Sequence, residues 1–425
     1  MSIAPVSSTQ AAVPDIARPY ADFPPSIWKD IFLQYDSESL ATKISNFINE
    51  QGNFNKIFAN DIQGLYTLYE AAHMRTHEDN ILEEVLDFSK AHLKFLADEV
   101  SPSLAAHINH CLRQPLNKNV PRFEAKYHMT LYEQDPSHNE TLLTFAKVDY
   151  NILQKMHQKE IDTINESRKR SNFVKRIPFA RDRLLESYIW SLAMSFKPEH
   201  SNGRMFAGKT IAFMTILDDT YDAYGTVPEL EIFTEAILRW DITLIESLPQ
   251  CMKAVFDMLV ELCEEIESMT NESKKSSFVV PCFKKAVSTF TKGYMIEAKW
   301  CHDGYIPTYN EYKVNGILTT GMPILFEQER VHIASAVECC MKQYDYSQSE
   351  AYNHILNDVE DCWKVLNEAC LKANDIPKVA LDCVVNLARS FHFMYGDLVD
   401  KFTNSELIKE YTSTLLVDPM CINQH

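Results

Sequence analysis

The sequence predicts an all-α protein, and three observations carry that expectation. Glycine is scarce, 10 in 425 residues, about a third of ordinary usage. A parallel α/β fold spends glycine on its many tight turns, and helices do not. Apolar residues recur at helical spacing, as in Val255, Leu259, Leu262, Ile266 and Met269, which step by four, three, four and three. No run of alternating apolar and polar residues repeats at strand spacing, and there is no internal repeat.

Along the chain, residues 1–26 are rich in Pro, Ser and Ala and read as irregular. Helical periodicity dominates after them. Thr210 to Tyr224 reads as a buried helix, because Ile211, Phe213, Met214, Ile216 and Leu217 are apolar almost all round it. Gly225 suits the position after that helix, and Thr226 with Glu229 forms a capping box for the next. The stretch NESKKSS, 271–277, reads as a polar loop. Ser347 with Glu350 caps a helix whose stripe is Tyr352, Ile355, Val359, Trp363, Leu366 and Cys370.

Charge and cysteine usage narrow the function. Lys and Arg number 41 against 59 Asp and Glu, a net −18, so neither nucleic acid nor an anionic membrane is an expected partner. An anionic substrate would need local cations to offset that field. Eleven scattered cysteines without a C-x-x-C pair indicate free thiols in a reducing compartment. No apolar run approaches the length of a membrane span. The first 17 residues carry no Lys or Arg and resemble no targeting signal, so the cytoplasm is the expected location.

One stretch, NGRMFAGKTIAFMTILDDTYDAYG (202–225), holds two competing signals. Gly203, Gly208, Lys209 and Thr210 fit the P-loop spacing, whereas Asp218, Asp219 and Asp222 form D-D-x-x-D. A P-loop follows a strand, and here His200, Ser201 and Asn202 precede the glycines. The NTPase reading is therefore the remote alternative. Asp218 and Asp222, one turn apart, share a helix face, while Asp219 points about 100° away. Two carboxylates on one face repel each other unless a cation joins them, and oxygen donors suit Mg²⁺ shared with a phosphate. The competing account is a solvated acidic helix end, which the apolar run just before it opposes.

Upstream, RIPFARDRLLESYIW supplies Arg176, Arg181 and Arg183 near Trp190, with Pro178 suited to a helix start. Arginines in an acidic protein commonly pair with Asp or Glu; the functional reading is a diphosphate clamp. Trp190 is more ordinarily core than catalyst.

With these residues in view, the chain resembles the plant terpene synthases, and among them the cytosolic sesquiterpene synthases. RPYADFPPSIW (18–28), the helices that follow it, IPFARDRLLESYIW, ILDDTYDAYGT, EAKW, YIPT, FEQERVHIASAVECCMKQY and LLVDP carry the resemblance. It implies a shortened α-helical N-terminal domain over 1–147 and an incomplete class I α-helical domain over 148–425. It implies farnesyl diphosphate as the substrate, Mg²⁺ (or Mn²⁺) as the cofactor, and a monomer. Asp218, Asp222 and Glu327 would ligate metal, and Asp218, Asp222, Arg181 and Arg183 would bind the diphosphate. Trp190 would face the carbocation as the catalytic aromatic. His73 and His77, spaced like a zinc pair, would sit on a structural helix, and His107 and His110 at the surface.

The sequence also departs from the family. Its second metal site runs Asn or Asp, then Ser or Thr four later, then Glu eight later. Counting back from Glu327 gives Pro323 and Thr319, which do not complete it. NGILTTGMPIL passes straight into FEQER, and DSESLATK into ISNFINEQGNF, as if internal segments had been skipped. Asn357 and Asp361 imitate the motif but lie on a later helix. Where the family has a tyrosine near the C-terminus stands Phe402. The expectation is a sesquiterpene synthase with a damaged second metal site; the alternative is a catalytically impaired or inactive homologue.

Overall fold

The computed structural model describes residues 61–170, 172–271, 276–319, 335–372, 376–396 and 399–422, without the side chains of residues 173 and 174. Among the described residues there is no strand, as the glycine deficit predicts. The N-terminal helices are α1 (Ile62–Ala72), α2 (Asn80–Ala97), α3 (Pro102–Arg113) and α4 (Pro121–Glu133). Proline occupies the first turn of α3 and of α4, where its missing N–H costs nothing. Leu65, Leu68, Val85, Leu93 and Ile108 close the core between α1, α2 and α3. The long α5 (Glu140–Arg170) follows as one continuous helix.

The second half comprises α6 (Leu184–Met194), α7 (Ser201–Asp219), α8 (Val227–Arg239), α9 (Gln250–Asn271), α10 (Ser276–His302), α11 (Tyr309–Thr319), α12 (Ala336–Tyr344), α13 (Gln348–Lys372) and α14 (Lys378–Tyr395). Its largest core gathers Phe213, Ile216, Leu217, Phe233, Val255 and Tyr294 from α7 to α10. The apolar stripe of α9 is real: Val255, Leu259, Leu262 and Ile266 are buried, and only Met269 near its end is exposed. On α13, Ile355 and Trp363 are buried, and the predicted Ser347–Glu350 cap forms at 2.6 Å. The two halves meet at Glu360 of α13, which accepts from Arg75 at 2.9 Å and from Lys118.

The centre of the polar 271–277 stretch and residues 1–60 lie outside the described residues, but its two ends belong to α9 and α10. Pro178 starts no helix: it sits in a turn, and α6 begins six residues later at Leu184. His73 and His77 are not on one helix, since α1 stops at Ala72. His73 is buried, which lowers its affinity for a proton, whereas His77 is 3.9 Å from Glu368. His107 and His110 are half-buried rather than surface residues, bonding across the α3–α4 seam to Tyr127 and Glu124, each at 2.6 Å.

Candidate active site

The site is built on the joint between α6 and α7. Gly208 lets them approach: a Cβ there would stand 3.2 Å from Ser191 Oγ and 3.3 Å from Tyr188 Cα. Beneath, Arg204 of α7 closes a two-point ion pair with Glu160 of α5 at 2.6 and 2.8 Å, joined by the Tyr188 hydroxyl at 2.6 Å. Both charges are buried, so this pairing satisfies groups that would otherwise be costly inside the fold.

The structure overturns the P-loop reading. Gly203, Gly208, Lys209 and Thr210 all lie within α7, which starts at Ser201, earlier than the sequence suggested. Gly208, Lys209 and Thr210 lie in the interior of this helix, where their backbone N–H groups are spent on the helical hydrogen bonds and cannot cradle a phosphate. Lys209 is bound to Glu265 of α9 at 2.7 and 2.9 Å.

At the far end α7 widens into a π-helical turn, Thr220–Tyr224. Gly225 N–H closes it onto the Thr220 carbonyl at 2.8 Å. Gly225 is not left-handed, with φ at −73°. It is needed because a Cβ would collide with Leu230, 2.4 Å from its Cδ2. The Thr226–Glu229 capping box then launches α8.

Asp218 and Asp222 emerge on either side of that transition. Asp218 is partly exposed, whereas Asp219 is buried. Its Oδ2 accepts the Arg181 backbone N–H at 2.7 Å, and its Oδ1 lies 2.7 Å from Arg181 Nε. Arg181 Nη2 donates to Asp218 Oδ2 at 2.7 Å. The structure thus brings Arg181 onto the acidic helix end. Arg176 instead pairs with Asp257 of α9 at 2.9 Å, the common fate of such arginines. Arg183 is buried, caps α6, and donates to the Thr403 carbonyl at 3.2 Å. Trp190 is buried one face further along α6. It packs edge-on against Phe391 at 4.6 Å, with Phe402 at 6.5 Å between ring centroids.

Sequence reasoning missed Tyr294 and Glu297 of α10. Burial pushes the Tyr294 hydroxyl well above its ordinary value, and the charges of Asp218, Glu297 and Asp222 push it further. These carboxylates therefore act on one buried point. Glu297 Oε1 accepts from Asn315 at 2.8 Å and from Thr319 at 3.0 Å. The Thr319 hydroxyl is thus committed to a brace between α10 and α11. A carboxylate flanked by Tyr294 and Ala298 on a helix was the available signal. Asp358, bonded to Tyr309 and Lys313, and Asp361, near Lys364 at 3.4 Å, are held elsewhere. Glu327 and Pro323 lie outside the described residues.

The donor set fits a divalent cation shared with an anion. Among the described residues no three His, Cys, Asp or Glu side chains converge into a metal cage. A carboxylate pair suits Mg²⁺-type ions, which keep waters and take phosphate oxygens. The guanidinium seated on Asp218 shows that this helix end accepts positive charge.

Comparison with known proteins follows the same lines. Residues 28–112 match the N-terminal domain of terpene synthases, and residues 169–326 and 324–365 match the metal-binding domain of the terpene synthase family. A probable terpene synthase 2 of Ricinus communis is 37% identical over 420 residues, covering 88% of this chain and 76% of that protein. The chain belongs to the terpene synthase family. Terpene synthases are lyases acting on prenyl diphosphates, with a metal-binding domain. A (−)-germacrene D synthase of Vitis vinifera is 36% identical, covering 89% of this chain and 76% of its own length. The terpene synthase fold also matches crystal structures. One is isoprene synthase of grey poplar in complex with three Mg²⁺ ions and dimethylallyl-S-thiolodiphosphate, with TM-score 0.81, 27% identity, and coverage of 92% of this chain and 82% of that one. All eleven cysteines are free thiols, and among the described residues no helix is long and apolar enough to cross a membrane.

Proposed function

We propose that the chain is a cytosolic, monomeric sesquiterpene synthase by descent, built for Mg²⁺-dependent ionisation and cyclisation of farnesyl diphosphate. Residues 1–147 form its supporting domain and 148–425 its catalytic one. The observation that carries this reading is the grip of Arg181 on Asp218 and Asp219 at the end of a buried helix. Asp218 and Asp222 would hold Mg²⁺, with Glu327 as the further ligand the family resemblance offers. When bound, the metal neutralises charge on the departing diphosphate.

The chain's own residues do the rest. Arg181 releases Asp218 and turns its outer nitrogen to the diphosphate, while Asp219 keeps the guanidinium and its backbone in place. Arg183 adds positive charge beside it. Trp190, with Phe391 and Phe402, offers aromatic surface to a cation and keeps water from it.

A second reading, an impaired or inactive homologue, has its own support. The metal-binding match breaks at 324–326, where GMPIL meets FEQER, and the Thr319 hydroxyl is already committed to Glu297. Incubating the purified chain with farnesyl diphosphate and Mg²⁺, and analysing the volatile products, separates the two. A sesquiterpene supports the first reading. No product, together with no Mg²⁺-dependent pyrophosphate binding by calorimetry, supports the second.

A further inference from the structure

Glu186 is a buried carboxyl that the chemistry above does not use. It lies in the first turn of α6, one turn from Arg183 and one turn from Trp190, and is 1% exposed. Its Oε1 makes no hydrogen bond and stands 3.8 Å from Arg183 Nη1, beyond bonding distance. Arg183 instead donates through Nη2 to the Thr403 carbonyl at 3.2 Å and through Nη1 to the Asp182 carbonyl at 3.4 Å.

Thr403 belongs to the loop 399–404, which also carries Phe402 toward Trp190. Lys401 pins the same loop to α14, its Nζ donating to the Phe393 carbonyl at 2.8 Å. Asp400 Oδ1 accepts the Thr403 N–H at 2.9 Å. One buried guanidinium therefore stands between a loop carbonyl and a carboxyl that does not yet hold it.

A buried carboxyl with one oxygen left unbonded is stabilised by keeping its proton. Burial holds Glu186 up at about 8; a hydrogen bond from its own backbone N–H and the charge of Arg183 oppose the rise, and Asp182 adds to it. Burial also pulls Arg183 below its ordinary value, and Arg181 lowers it further, while Glu186, Asp219 and Asp400 oppose. On the flank of α6 facing α5 and α7, Glu160 and Arg204 are closed on each other. Arg183 is thus the cation that an ionised Glu186 would meet. A charge-assisted bond at about 2.7–2.9 Å would be the outcome, stronger than a guanidinium–carbonyl contact.

We propose that Glu186 is a positioning residue that works as a neutral acid. While it keeps its proton, Arg183 clamps the Thr403 carbonyl and holds the loop 399–404, with Phe402, against Trp190. When the proton passes to solvent, Arg183 turns to Glu186 and the loop is released. The loop's bearing on catalysis rests on the proposed function; the clamp does not.

Hydrogen–deuterium exchange of peptides spanning 399–404 tests this at pH about 6.5 and about 9.5, with rates corrected for intrinsic exchange and α8 as the internal reference. Wild type should lose about tenfold protection in the loop at the higher pH, with α8 unchanged. Glu186→Gln, which cannot ionise, should protect the loop equally at both. Arg183→Gln should leave it open at both. Equal wild-type protection at the two pH values overturns the proposal, as does a Glu186→Gln chain that opens like wild type. So does a protected loop in Arg183→Gln. If Glu186→Gln fails to fold, the wild-type comparison still decides. The readout needs no turnover, so its failure leaves the proposed function standing, and loss of that function leaves the clamp testable.

Discussion

Arg181 and Asp219 are joined at two points, through the arginine's backbone N–H and through its Nε, each at 2.7 Å. The second aspartate of the motif therefore fixes both the chain direction and the side chain of the arginine. Removing it should cost structure before it costs chemistry. Asp219→Ala should lower stability by about 1.5–3 kcal/mol, the scale of hydrogen bonds to charged groups. Urea denaturation of the variant against wild type checks this; an unchanged midpoint would mean that the contact is not held in solution.

Asp218 has the opposite character, since its side chain reaches partial exposure at the helix end. Asp218→Ala should remove Mg²⁺-dependent pyrophosphate binding and leave a weak, metal-independent component from Arg181. Calorimetric titrations with and without Mg²⁺ resolve the two components. Undiminished metal dependence in the variant would remove Asp218 from the site.

Lys209 should matter little. Its pair with Glu265 is partly exposed, and such pairs contribute about 0–1 kcal/mol. Lys209→Ala should keep the melting temperature nearly unchanged, and ATP should stabilise neither form. Stabilisation by ATP that disappears in the variant would contradict the helical assignment of those glycines.

Arg204 should matter a great deal. Arg204→Leu would leave Glu160 buried without its partner, and breaking such a pair typically costs about 3–5 kcal/mol. Thermal unfolding followed by circular dichroism reports it. A loss below about 1 kcal/mol would show that water reaches Glu160.

On the proposed function with an incomplete second metal motif, the chain should turn over farnesyl diphosphate about a hundred- to a thousandfold more slowly than a relative with the complete motif, since losing one stabiliser of the leaving group typically costs that much. On the second reading farnesol should dominate whatever product forms, because a pocket that does not close admits water. A cyclic sesquiterpene formed at a relative's rate, measured by product chromatography, would rule out the second reading.

The fold class and the acidic helix end were legible in the sequence because both depend on local spacing. Apolar steps of three and four located α9 and α13, and the D-D-x-x-D stretch falls where α7 ends. What escaped depends on partners distant in sequence. Gly225 looked like a helix terminator, yet its reason is Leu230. His107 and His110 looked like surface residues until α4 packed beside them. Pro178 carried a helix-start signal that the turn before Arg181 overrode. Glu186 carried no local mark of burial.

Gly208 sets a tolerance for the α6–α7 pair that carries the proposed site. Trp190 and Arg183 stand on α6, and Asp218 stands on α7; the separation of these helices is fixed by the missing methyl at Gly208, with 3.3 Å left to the Tyr188 backbone. The aromatic wall and the acidic end are consequently interchangeable between relatives only as a pair. A donor α6 fitted to a larger residue at that position would carry its tryptophan at the wrong depth, however well its own residues matched.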